Sequence, residues 1–125
     1  MTLIDTSAWI EFFRGRGALA LSVDAALASA DAAIAGPVVT ELRRGLSPRD
    51  RNRVLPLLTG CAMLAEPPGL WDRAGDLGYA LARRGKNVKT LDLLIATYAI
   101  EHGVPLLSGD ADFRVIARHS PLRLA

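Results

Sequence analysis

The acids of this chain are not scattered evenly. Asp5 follows the apolar pair Leu3-Ile4, and Asp92 opens a long apolar run beginning at Leu91. Asp110 comes just after Leu106-Leu107, and Glu41 stands in the apolar segment that follows Gly36-Pro37. Asp112 is a fifth candidate. Any one of them alone reads as a helix cap or first-turn acid, where a carboxylate satisfies free N–H groups and complements the helix dipole. Four delivered to one edge would repel, and each would raise the others' pKa unless a cation neutralised them. No Cys or His falls at ligand spacing among them, and an oxygen-only donor set suits Mg²⁺ or Mn²⁺ rather than zinc. Spacing alone leaves that metal site and a set of structural caps as open alternatives.

Whether the acids meet depends on the elements that carry them. Leu91, Leu94, Ile95, Tyr98 and Ala99 recur at helical spacing, with Thr90 as N-cap, Asp92 in the first turn, Gly103 as the stop and Pro105 beyond it. Val104 to Leu107 reads as a short buried strand that delivers Ser108, Gly109 and Asp110 at its carboxyl end, where open α/β sheets bind ligands. Upstream, Met1 to Asp5 reads as a strand, and Thr6 and Ser7 as caps of a helix whose apolar face is Ala8, Trp9, Phe12 and Phe13. Gly15 and Gly17 stop that helix, and a second runs from about Ala18 to Ala30. Ala32 to Ala35 reads as a strand, and Gly36-Pro37 opens a helix anchored by Val38, Val39, Leu42 and Leu46. Ser47-Pro48 starts a basic helix that Pro56 should end or kink. Cys61 to Ala65 reads as a third strand, Leu70 to Arg84 as a helix, Phe113 to Arg118 as a last helix, and Leu122 to Leu124 as an edge strand. Strands alternating with helices imply a small parallel sheet covered on both faces, a three-layer α/β/α domain.

Composition bounds the rest. The 125 residues suit one domain, 1–125, with half of them hydrophobic and 22% charged, a globular balance. No apolar run is long enough for a membrane span and no secretory signal is seen, so no membrane association and a cytoplasmic location are expected; the single Cys61 excludes an internal disulfide. If four of the 13 acids gather in one site, the others face 15 Lys and Arg, a balance compatible with a polyanionic partner or simply a solvated basic surface.

Four blocks together resemble a known family. Asp5-Thr6-Ser7-Ala8-Trp9-Ile10-Glu11-Phe12-Phe13-Arg14-Gly15, Pro37-Val38-Val39-Thr40-Glu41-Leu42, Asp92-Leu93-Leu94-Ile95-Ala96 and Leu107-Ser108-Gly109-Asp110-Ala111-Asp112-Phe113 are similar to PIN-domain proteins, in particular the VapC-type toxins of bacterial toxin–antitoxin pairs. The blocks span nearly the whole chain in the family's order. The resemblance implies a PIN-like fold and an endoribonuclease using Mg²⁺ or Mn²⁺ held by Asp5, Glu41, Asp92 and Asp110, which are also the catalytic acids. It implies that Ser7 and Ser108 support those acids, and it leaves Asp112 in a secondary place. It further implies hydrolysis by water leaving a 5′-phosphate and a 3′-hydroxyl, homodimers, and a cognate VapB-like antitoxin that covers the groove.

Other residues carry plainer expectations. Arg14, Arg43, Arg44, Arg83, Arg84, Lys86, Lys89 and Arg114 are either phosphate contacts or surface charge, with Lys86 and Lys89 favoured by their nearness to Asp92 in sequence. Trp9, Phe12, Phe13 and Trp71 stand at helical spacing and read as core. His102 reads as a helix-end residue, His119 as a surface residue, and Cys61 has no catalytic partner. A receiver-like signalling domain would need an acidic pair after the first strand and a late Lys, yet strand 1 ends in one acid and no Lys follows Lys89. A haloacid-dehalogenase-like phosphatase would need a second Asp where Ser7 stands. A PIN-like module that binds RNA or protein without cutting would not require the full set of acids.

Overall fold

The computed structural model describes all 125 residues. In chain order the elements are β1 (Thr2–Ile4), α1 (Thr6–Arg14), α2 (Ala18–Ala28), β2 (Ala32–Ile34), α3 (Gly36–Gly45), α4 (Pro48–Leu58), β3 (Ala62–Met63), α5 (Leu70–Arg83), α6 (Thr90–His102), β4 (Leu106–Leu107) and α7 (Ala111–Arg118). The four strands form one parallel sheet in the order β3-β2-β1-β4, enclosed by helices as a three-layer α/β/α domain. The chain steps outward from β1 through β2 to β3, then returns to place β4 on the other side of β1. That reversal makes the crevice between the carboxyl ends of β1 and β4 a topological switch point, the usual ligand position in open α/β sheets. Registers Leu3 opposite Leu106 and Ile4 opposite Leu107 bring Asp5 and Ser108, the next residue of each strand, out at the same edge.

The inner strands are short because they are buried on both faces and need only enough apolar length to cross the core, whereas the edge strand β3 leaves Met63 exposed. Leu3, Ile4, Ala33, Ile34 and Leu106 are fully buried. Helix α6 is the central helix. Rather than presenting one apolar stripe, it buries every residue from Asp92 to Ala99, as a helix enclosed on all sides must. Its neighbour α5 comes close at Gly78, where an added Cβ would lie 2.7 Å from Leu93 Cδ1.

Several local expectations need correction. Helix α1 is capped by Asp5, whose side chain accepts the Ser7 N–H, and not by Thr6 or Ser7. Thr90 is already helical, and the cap position of α6 is Lys89, without a side-chain hydrogen bond. Helix α7 starts at Ala111, two residues before Phe113, because Asp110 caps it. Helix α2 ends at Ala28. Leu122 to Leu124 supplies a single bridge, Leu124 with Leu106, and no full strand. Pro56 lies inside α4, which ends two residues later. Trp9 and the rings of Phe12 and Phe13 form the expected aromatic cluster, with Trp9 fully buried. Trp71 departs from expectation and is 67% exposed.

Candidate metal centre and active site

Asp5 is fixed before any ligand arrives. It is buried at 4% exposure, and its Oδ2 accepts from Ser7 Oγ at 2.8 Å, from Ser108 Oγ at 2.8 Å and, more distantly, from the Ser7 N–H at 3.4 Å. The two hydroxyls lie 3.1 Å apart. Each serine has one proton, and the surrounding donors say where it goes. Ser7 Oγ accepts from the Gly109 N–H at 3.0 Å, and Ser108 Oγ accepts from the Asp110 N–H at 3.0 Å. Both hydroxyls therefore receive a backbone proton from the β4–α7 loop and donate their own to Asp5. The pair stitches the β1–α1 junction to the β4–α7 loop and leaves Asp5 Oδ1 without a hydrogen bond in the chain.

Asp110 has a double role of the same kind. Its Oδ1 accepts the Asp112 N–H at 2.9 Å as the N-cap of α7. The turn this bond makes brings the Asp112 carboxylate round beside that of Asp110. Asp92 arrives from the first turn of α6, and one carboxylate oxygen from each of Asp92, Asp110 and Asp112 lies within 4.8 Å of the others. Asp92 is only 6% exposed, and its buried Oδ2 has no hydrogen-bond partner. Burial pushes the Asp92 carboxyl up to about 6; Lys89 opposes the rise, and the negative charges of Asp110, Asp5 and Asp112 add to it. A buried carboxylate oxygen with no donor and three acids around it is the environment a cation would relieve. The oxygen-only set fits a hard divalent ion.

Glu41 stands apart from this trio. It is half-buried in α3, and its Oε1 accepts from Thr6 Oγ1 at 2.7 Å, next to Asp5 in sequence. The structure thus brings Asp92, Asp110 and Asp112 together, sets Asp5 electrostatically against Asp92, and ties Glu41 to the head of α1. Asp112, given a secondary place from the sequence, lies in the same group as Asp92 and Asp110. The signal for it was present in Asp110-Ala111-Asp112, since an Asp cap with an acid two residues on places both at one helix head.

The basic candidates divide. Arg14 pairs with Glu11 at 2.9 Å, Arg83 lies over the Tyr79 ring at 5.0 Å, and Lys89 is the positive charge that acts on Asp92. His102 closes α6 and contacts the Ala65 carbonyl at 2.7 Å, and His119 is half-buried at the end of α7. Burial raises the Cys61 thiol, and the residue has no catalytic partner.

A parallel sheet with acids converging at its switch point defines a small α/β domain with an acidic edge, and residues 2–119 match the family model of the PIN domain. The chain belongs to the PIN-domain family and, within it, to the VapC ribonucleases. It is 38% identical over 131 residues to "VapC ribonuclease Mb1587" of Mycobacterium bovis, covering 100% of this chain and 98% of the relative. The same figures hold for "Ribonuclease VapC11" of Mycobacterium tuberculosis. Among solved structures, VapBC2 from Rickettsia felis, bound to a fragment of its promoter DNA, superposes with a TM-score of 0.79 at 19% identity, covering 99% of this chain and 96% of that one. At that identity the likeness speaks for the fold.

Proposed function

We propose that this chain is a divalent-metal-dependent endoribonuclease toxin of the VapC type, acting on RNA in the cytoplasm and held in check by a cognate VapB-like antitoxin. The observation that carries this reading is the orphaned, buried Oδ2 of Asp92 inside a trio of carboxylates at the switch point. Asp92, Asp110 and Asp112, with Asp5 beside them, would hold Mg²⁺ or Mn²⁺. Glu41, held by Thr6 Oγ1 outside that trio, is the remaining acid of the set. When bound, such an ion supplies positive charge to a phosphate's oxygens and makes water a stronger acid.

The chain's own residues set the stage for hydrolysis. Ser7 and Ser108 occupy Asp5 Oδ2, so Oδ1 is the oxygen Asp5 offers outward. Asp110 spends Oδ1 on the α7 cap and keeps Oδ2. Helix α6 begins at the site without a side-chain cap, and its positive dipole end favours an anion there. Lys89 partly offsets the carboxylates that would otherwise repel a phosphate. No helix is long and apolar enough to cross a membrane. The family names of the relatives carry the proposal of an antitoxin partner, and a homodimer goes with it.

The test is incubation of total cellular RNA with antitoxin-free protein in Mg²⁺, in Mn²⁺ and in EDTA, with Asp92→Asn alongside. Discrete cuts carrying 5′-phosphates, dependent on metal and absent in the variant, are expected. Folded protein that cuts nothing in either metal would overturn the reading.

A further inference from the structure

Beside the acid cluster lies a cleft of about 530 Å³, in the size range of ligand-binding pockets. One wall belongs to the site already described, through Ser7, Gly109 and Asp110; the other is the α1–α2 turn and the head of α2, through Arg16, Ala18 and Leu19. The two walls are locked together. Leu19 Cδ1 sits over Gly109 so closely that a Cβ there would meet it at 2.7 Å, and the Gly109 N–H is held by Ser7 Oγ at 3.0 Å.

Arg16 sits in the turn between α1 and α2. Gly15 and Gly17 on either side of it adopt φ of 72° and 91°, backbone that favours glycine, and the chain reverses sharply between them. Arg16 makes no ion pair or hydrogen bond within the chain, whereas Glu11, the other charged residue of the cleft besides Asp110, is engaged by Arg14 at 2.9 Å. Helix α2 starts at this wall with no side-chain cap, so its first N–H groups stay available to an anion. Ala18 and Leu19 are the hydrophobic residues of the lining, beside the charged Glu11, Arg16 and Asp110.

We infer that this cleft seats the RNA strand adjoining the scissile bond, with Arg16 binding a neighbouring phosphate. The inference rests on the ribonuclease reading above and adds to it a path for the strand and a residue that holds it. Arg16 anchors the chain on the far wall, and the phosphate to be cut then falls at Asp110 and Asp92. Its guanidinium fork matches phosphate oxygens better than an ammonium does.

The experiment separates binding from cutting. Cleavage-deficient Asp92→Asn is titrated with a fluorescein-labelled single-stranded oligouridylate over a range of salt, alone and combined with Arg16→Ala, Arg16→Lys or Ala18→Glu. Glu at the first turn of a helix favours its dipole, so Ala18→Glu keeps the fold, which circular dichroism checks. Arg16→Ala should weaken binding about tenfold, the worth of one charge-assisted contact, and flatten the slope of log K against log salt by about 0.7. Arg16→Lys should restore the slope and part of the affinity, and Ala18→Glu should weaken binding as Arg16→Ala does. In the cleaving enzyme, Arg16→Ala should raise KM by a similar factor with kcat changed much less. Unchanged RNA binding and salt slope in Arg16→Ala, in a protein whose wild type still cuts RNA, would overturn the inference and leave the ribonuclease reading standing. Loosened antitoxin binding with unaltered RNA binding would overturn it too, and would give the cleft to a protein partner. A wild type that cuts no RNA fails at the earlier step.

Discussion

Replacing Asp92 by Asn should make the metal-free protein more stable, although it removes a central site residue. The folded chain holds the Asp92 carboxyl at about 6, against an ordinary value of 3.8. A shift of that size is worth about 3 kcal/mol at roughly 1.4 kcal/mol per unit, and solvent screening lowers it to about two-thirds of that. The N-terminal dipole of α6 favours the charge by at most about 1 kcal/mol, so desolvation and like-charge repulsion win. The sign follows from linkage. Between 3.8 and about 6 the folded state binds more protons than the unfolded one, so stability falls as pH rises through that window. Above it the penalty is complete; below it there is none. Asn carries no charge at any pH, and its amide N–H can donate to Asp110 or Asp112.

In EDTA at pH 8, Asp92→Asn should therefore gain about 1–2 kcal/mol over the wild type, or roughly 4–8 °C in Tm for a domain of this size. Near pH 4 the two proteins should melt together. Adding Mn²⁺ to the wild type at about 100 times its Kd should return some 2.7 kcal/mol, and the variant should gain much less. Paired thermal scans from pH 4 to 8, with and without metal, decide the matter. A variant less stable than the wild type at pH 8 in EDTA, or a Tm difference that does not change with pH, would refute the account of Asp92 as a strained, cation-seeking acid.

Asp112→Asn should weaken Mn²⁺ binding about tenfold or more in calorimetry, and Glu41→Gln should weaken it less, because Asp112 and not Glu41 shares the compact group with Asp92 and Asp110. Ser108→Ala should cost about 1–2 kcal/mol in urea denaturation and lower kcat by more than tenfold, since one hydroxyl both steadies Asp5 and holds the Asp110 N–H. Trp9→Ala should cost about 3–5 kcal/mol and Trp71→Ala within about 0.5 kcal/mol, and acrylamide should quench the Trp71 emission while sparing that of Trp9.

Much of the fold was legible because periodicity and punctuation agree along the chain. Gly103 is the left-handed stop of α6 and Ser47 caps α4 as read. What escaped was decided between elements. In α5, Leu70, Ala74, Leu77 and Leu81 form one helical stripe, and Trp71, Ala74, Gly78 and Leu81 form its neighbour. Both are periodic; the structure buries Leu70, Ala74 and Leu81, sets Gly78 against Leu93 of α6, and turns Trp71 outward. The amphipathic spacing read in α6 was likewise a subset of a helix buried on all sides, which is how Asp92 comes to lie inside. Which acids would share a cluster could not be read from spacing, because α7 starts two residues earlier than its apolar face suggests and so swings Asp112 into the group. Arg16 carries no signal in the sequence for a similar reason, since the cleft wall it lines is built only by tertiary structure.

The two readings of the acids, caps or site, do not exclude each other. Asp5 caps α1 with the same oxygen that takes the two serine hydroxyls, and Asp110 caps α7 with Oδ1. Each carboxylate has two oxygens, so one can satisfy a helix head while the other is left for a ligand. The caps offset part of the cost of bringing charges together at one sheet edge, and they aim those charges because a helix head has a fixed direction. Asp92 is the exception, having no hydrogen bond at its buried oxygen. Burial without a donor, with the negative charge of its neighbours added, falls on that residue, which makes it a point where a bound cation would return stability.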